Sequence, residues 1–143
     1  MVKVIGIQFE GYNKLGDFNY MCELEEYKDT LFIFNDNKEY HNTCKKGAGN
    51  AIMRQYNKHN TELNKPKSAG IPTGTLKNGG YSELNNYVKN VVNQSVNEIK
   101  DLIKKYNYEK IYYSVGKDNK LGTSLFEVNE DVIDYIDTLI NSL

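Results

Sequence analysis

Apolar positions along this chain switch between three patterns, and each switch marks an element. Val2-Lys3-Val4-Ile5-Gly6-Ile7-Gln8-Phe9 is β-branched and partly alternating, and Phe18 to Tyr27 alternates in part as well. With the turn formers of Gly11 to Gly16 between them, these stretches predict an N-terminal β-hairpin. Thr30-Leu31-Phe32-Ile33-Phe34 is apolar without a break, as in a strand buried on both faces, and runs into the turn formers Asn35-Asp36-Asn37. Gly47-Ala48-Gly49-Asn50 opens a short helical stretch over Ala51 to Tyr56, and the polar, aperiodic residues 57–68 predict a loop suited to a lid. Ala69 to Gly74 begins as a short strand, and Gly79-Gly80 breaks the chain again.

The strongest helical signal follows. Leu84, Val88, Val91, Val92, Val96, Ile99, Leu102, Ile103 and Tyr106 recur at three- and four-residue steps behind Ser82, a candidate N-cap. Lys110 to Val115 predicts another strand, Leu121 to Phe126 a glycine turn leading into apolar residues, and Glu130 to Leu143 a last amphipathic helix. Strands joined through helices imply parallel pairing and right-handed crossovers. The expectation is an α/β fold: one small Rossmann-like, three-layer mixed sheet over residues 1–143, with the hairpin supplying antiparallel edge strands.

Composition narrows the function classes. No apolar run approaches the roughly 20 residues of a membrane span, and the first residues lack a secretory layout, so the reading is a cytoplasmic protein that does not enter a membrane. A net charge of -1 argues against a nucleic-acid partner. The charge is uneven: Lys45, Lys46, Arg54, Lys58, Lys65 and Lys67 face only Glu62 within their segment, and the residues after Lys120 hold acids and no base. Such a basic segment can steer a small anion or simply be a solvated loop. Arg54 is the one arginine against 17 lysines, which points to a position needing a planar, bidentate donor. Cys22 and Cys44 read as free thiols. His41 with Cys44 is too few ligands for a zinc site, so neither metal nor cofactor is expected, and both histidines read as exposed. The acidic last helix and surface tyrosines can support a homo-oligomer.

In open α/β sheets, ligands bind beyond the carboxyl ends of parallel strands. Four small, polar turns are expected at that rim: Asn35-Asp36-Asn37; Gly47-Ala48-Gly49-Asn50; Gly70 with Thr73 and Gly74; and Ser114 with Gly122-Thr123-Ser124. A helix N-terminus with bare N–H groups accepts phosphate or carboxylate, although a Gly-x-Gly can equally be a tight turn. Arg54, four residues after Asn50, can lean on a ligand or pair with Asp36. Asp36 can hold a ribose hydroxyl, hold Arg54, cap a turn or act as a general base; it is the one catalytic candidate. Neither a nucleophile elbow nor a spaced carboxylate pair is present, so the chain shows a binding site more clearly than a catalytic one.

The series Phe34-Asn35-Asp36-Asn37, Gly47-Ala48-Gly49-Asn50-Ala51, Arg54, Gly70-Ile71-Pro72-Thr73 and Gly122-Thr123-Ser124-Leu125 resembles a family of small phage and bacterial proteins. That family carries F-G-D-N, G-x-G-x-A, R, G-I-P-T-K and G-T-G-L in this order, on Rossmann-like folds similar in style to SLOG and macro domains. The resemblance spans about residues 30–128. Asn35, Gly74 and Ser124 depart from it, and Gly74 in place of lysine removes one phosphate contact. It implies a nucleotide-derived ligand, ADP-ribose-like or a cyclic nucleotide signal, and for a phage protein a sponge for a host immune signal in the host cytoplasm. The rival readings are a hydrolase or glycosidase acting on such a ligand, and an interaction protein whose glycines only shape turns.

Overall fold

A computed structural model describes residues 2–123 and 126–143; Ser124 lies outside the described residues. Four parallel strands form the sheet: β1 (Lys3–Gln8), β2 (Thr30–Asn37), β3 (Ser68–Thr75) and, late in the chain, Lys110–Val115. A two-residue β4 (Gly79–Gly80) adds an antiparallel edge, and with Lys110–Val115 as β5 the order is β1-β5-β2-β3-β4. The mixed α/β sheet with flanking helices matches the expected architecture.

Strict alternation along β2 sends its apolar side chains to both faces. Leu31 and Ile33 join Ile71, Ile111 and Val115 under two helices, α2 (Asn86–Lys105) and α3 (Glu130–Asn141). Phe32 and Phe34 join Tyr112 under Phe18, Met21 and Met53. Those three come from α1 (Phe18–Met21) and a 3₁₀ helix, Gly49–Tyr56. Every residue of β2 is buried, as an unbroken apolar run predicts.

The N-terminal hairpin does not form. β1 finds its partner in β5, over a hundred residues on, with Lys3 opposite Lys110. The stretch read as the second hairpin strand is α1 followed by a 3₁₀ turn at Glu25–Tyr27. Asp17 caps α1 by accepting the Tyr20 amide, and Phe18, Met21 and Cys22 stand at helical i, i+3, i+4 spacing on the aromatic cluster. Other boundaries move less. Asn85, not Ser82, caps α2, accepting the Val88 amide at 2.9 Å. Asn35, Asp36 and Asn37 extend β2 instead of turning, with a bulge in the β2–β3 register between Asp36 and Asn37. The 57–68 loop is pinned down: Tyr108 Oη donates to the Pro66 carbonyl at 2.5 Å, and Lys65 Nζ reaches Asp29 at 2.9 Å. No helix among the described residues is long and apolar enough to cross a membrane.

Candidate functional site

Beyond the carboxyl ends of β2 and β3 lies a cavity of about 290 Å³. Asn35 is the knot that closes its base. Its Nδ2 donates to the Thr123 carbonyl at 3.0 Å and to Thr73 Oγ1 at 3.4 Å, and its Oδ1 accepts from Asn50 Nδ2. One carboxamide therefore ties together β2, β3, the start of the 3₁₀ helix and the loop after β5. Parts of the four stretches expected at one rim thus meet here, although Asn35–Asn37 and Gly70–Gly74 are strand and not turn.

Beside it Asp36 and Arg54 form a buried, forked ion pair. Arg54 Nε donates to Asp36 Oδ1 and Oδ2 at 3.1 and 3.3 Å, Nη2 also donates to Oδ1, and Nη1 donates to the Lys45 carbonyl at 2.8 Å. Asp36 Oδ1 further accepts the Asn37 amide at 2.8 Å. Gly70, directly behind, leaves the room: a Cβ there would lie 2.9 Å from Asp36 Oδ2 and 3.0 Å from Phe34 Cζ. Of the roles open to Arg54 and Asp36, the structure realises their mutual pairing. Arg54 braces the Lys45 backbone at the cavity wall.

His41 departs from its expected exposure. Its Nδ1 sits 3.5 Å from Asp36 Oδ2, outside hydrogen-bonding geometry, and its Nε2 lies 3.5 Å from Glu98 Oε2, which is 3.6 Å from Lys58 Nζ. With His41 protonated, charges alternate from Arg54 through Asp36, His41 and Glu98 to Lys58. The row passes the edge of β3, which β4 pairs only at Gly74 and Thr75. Burial pushes Asp36 upward, but His41 and the Arg54 guanidinium outweigh it and hold the carboxyl below its ordinary value. Burial pushes His41 down, but Asp36 and Glu98 outweigh it and raise its pKa. Glu98 is lowered, chiefly by His41. Asp36 is thus an ionised carboxylate with both oxygens engaged, a poor general base.

The cavity wall mixes what the sequence pointed to with what it hid. Asn35, Asp36, Asn37, Gly47, Ala48, Asn50, Arg54 and Thr123 all line it. So do Tyr40, Leu76 and Phe126, which no local pattern singled out, and Lys45 and Lys46, noted only as part of the basic segment. Both lysines are exposed and form no salt bridge among the described residues. Lys45 Nζ stands 5.4 Å from the Tyr40 ring centre. The Ala48 amide donates to no acceptor among the described residues. Gly49 follows with φ 60°, a left-handed conformation that glycine adopts freely. The first N–H groups of the 3₁₀ helix have no partner one turn back.

Other candidates stand elsewhere. Gly70 and Thr73 are buried behind the wall, and Gly74 packs against β4. Ser114, Gly122 and Gly49 line a separate groove across the Gly49–Asn50 turn. Comparison of the chain with family models, curated proteins and solved structures found no match. The reading of the site therefore rests on its own geometry.

Proposed function

We propose that this protein binds a nucleotide-derived anion, an ADP-ribose-like or cyclic-nucleotide signal, without turning it over. One observation carries the reading: among the described residues Lys45 and Lys46 form no salt bridge and the Ala48 amide has no acceptor, and all three border a preformed cavity also lined by the apolar Leu76 and Phe126. Cations and amide N–H groups suit phosphate oxygens, and the apolar wall suits a sugar or base face. Binding alone is favoured over hydrolysis because the one acid of the cavity floor, Asp36, is spent on Arg54. A binder of this kind, phage-encoded and placed in a host cytoplasm, would serve as a sponge for an immune signal; that setting rests on the likeness in fold style alone.

Calorimetry with ADP-ribose, cyclic ADP-ribose isomers and cyclic dinucleotides tests the proposal. At least one should give saturable heat, and the ligand should be recovered intact after denaturation. Replacing Lys45 and Lys46 together by alanine should weaken binding about tenfold or more while moving stability by no more than about 0.5 kcal/mol. Heat from none of the panel would overturn the proposal; recovery of cleaved product would convert it to the hydrolase reading.

A further inference from the structure

On the far side of the Gly49–Asn50 turn lies a groove of about 750 Å³, larger than the anion cavity and sharing Asn50 with it. We propose that this groove is a second binding site, for a flat aromatic heterocycle such as a nucleobase. The topology supplies the first argument. β5 lies between β1 and β2. β1 and β2 lead into α1 and the 3₁₀ helix, which pack on one face, whereas β5 leads into α3 on the other. Chain segments part at this point, and in doubly wound sheets such a parting opens the ligand crevice. The groove sits there, between Phe9 after β1, Ser114 on β5 and Gly49 after β2.

Its lining supplies the second. Phe9 and Tyr12 stand at the groove with ring centres 5.4 Å apart and planes at 77°, and they are 53% and 83% exposed. Two large aromatic rings left to solvent beside a hollow offer faces on which a flat ligand can stack. The loop presenting them is fixed in advance: the Glu10 amide donates to the Leu15 carbonyl at 2.9 Å, and the Asn13 amide to Asp17 Oδ2 at 2.9 Å. The third argument is polar. The Ser114 hydroxyl and the Asn13 carboxamide, both lining the groove, have no hydrogen-bond partner among the described residues. They can address the edge of a heterocycle whose face lies on the rings. The groove stands on this geometry alone; only its union with the anion cavity, as base and phosphate halves of one ligand, rests on the reading above.

The test uses the full chain and two half-ligands, adenosine without charge and pyrophosphate without a base, followed by amide NMR. Adenosine at millimolar concentration should shift the Tyr12, Ser114 and Gly122 signals, and Tyr12→Ala or Phe9→Ala should weaken it about tenfold with the rest of the spectrum unchanged. Adenosine that shifts none of these signals, or binds both variants as it binds the parent, overturns the groove proposal whatever pyrophosphate does. Pyrophosphate that leaves Ala48 and Asn50 unmoved counts against the anion cavity and leaves the groove result standing.

Discussion

The two faces of this sheet are held in different ways. Under α2 and α3 the buried side chains are almost wholly apolar: Ile33, Ile71, Ile99, Ile111, Ile136 and Ile140 are all within 1% of full burial. Under α1 and the 3₁₀ helix the aromatic cluster is smaller, and at the rim it gives way to the ion pair of Asp36 and Arg54. Area removed from water stabilises the first face, and many side chains share the work. The second depends on a few polar groups whose partners cannot be replaced by water.

The sharpest way to break this comparison is Asp36→Ala. It strands the Arg54 guanidinium in a site where the side chain is 2% exposed, and should cost about 3–5 kcal/mol in urea unfolding. Ile136→Ala on the other face should cost about 2–5 kcal/mol through a cavity alone. The two losses differ in kind. Adding Arg54→Met to Asp36→Ala should restore much of the stability, because the unpaired charge is gone. A double variant no more stable than Asp36→Ala would show that the charge is not what the ion pair protects against.

The same contrast explains which parts of the fold are legible in the sequence. The apolar face repeats at fixed steps, so β2, α2, β5 and α3 are legible from spacing alone. The rim is legible only where its chemistry is local: Asn35 to Asn37, Gly47 to Asn50 and Arg54 announce themselves as short runs of small or polar residues. His41 and Glu98 meet from positions 57 apart, one in a polar stretch and one on a helix face, and no periodicity encodes that meeting. Leu76 and Phe126 reach the cavity from loops for the same reason. The α1 segment carries both signals: Phe18, Met21 and Cys22 fit a helix, while Phe18, Tyr20 and Cys22 fit a strand. A short segment satisfies both periods, and the aromatic cluster beneath it decides.

A middle-sized effect sharpens the contrast. Gly70→Ala puts a methyl group 2.9 Å from Asp36 Oδ2, so the carboxylate or β3 must shift, at a cost of about 1–3 kcal/mol. If the clash is with the ion pair, the cost should shrink in the Asp36→Ala background. Equal costs in both backgrounds would place the strain on Phe34 Cζ and the Cβ of residue 36, each 3.0 Å away.

The smallest expected effect is a slope with pH, and it separates the two histidines. His41 has a folded pKa above its ordinary 6.5, so its contribution is complete below that pH and is lost as pH rises through the folded value. His59 is shifted the other way, by burial and then by Lys58, so it costs stability as pH falls below 6.5. Asp36 and Glu98, both lowered, lose their contributions only in acid, as pH falls through their folded values below 3.8 and 4.5. Around His41 the charged neighbours are Asp36 and Arg54 on one side and Glu98 with Lys58 on the other. Stability should therefore peak near neutral-to-mildly-acid pH and decline above 6.5. In His41→Gln the alkaline decline should flatten, while the loss that His59 brings below pH 6.5 persists. Urea midpoints taken from about pH 5 to about pH 9 would show it. An unchanged alkaline slope in the variant would mean that the row of charges running past β3 does not pass through His41.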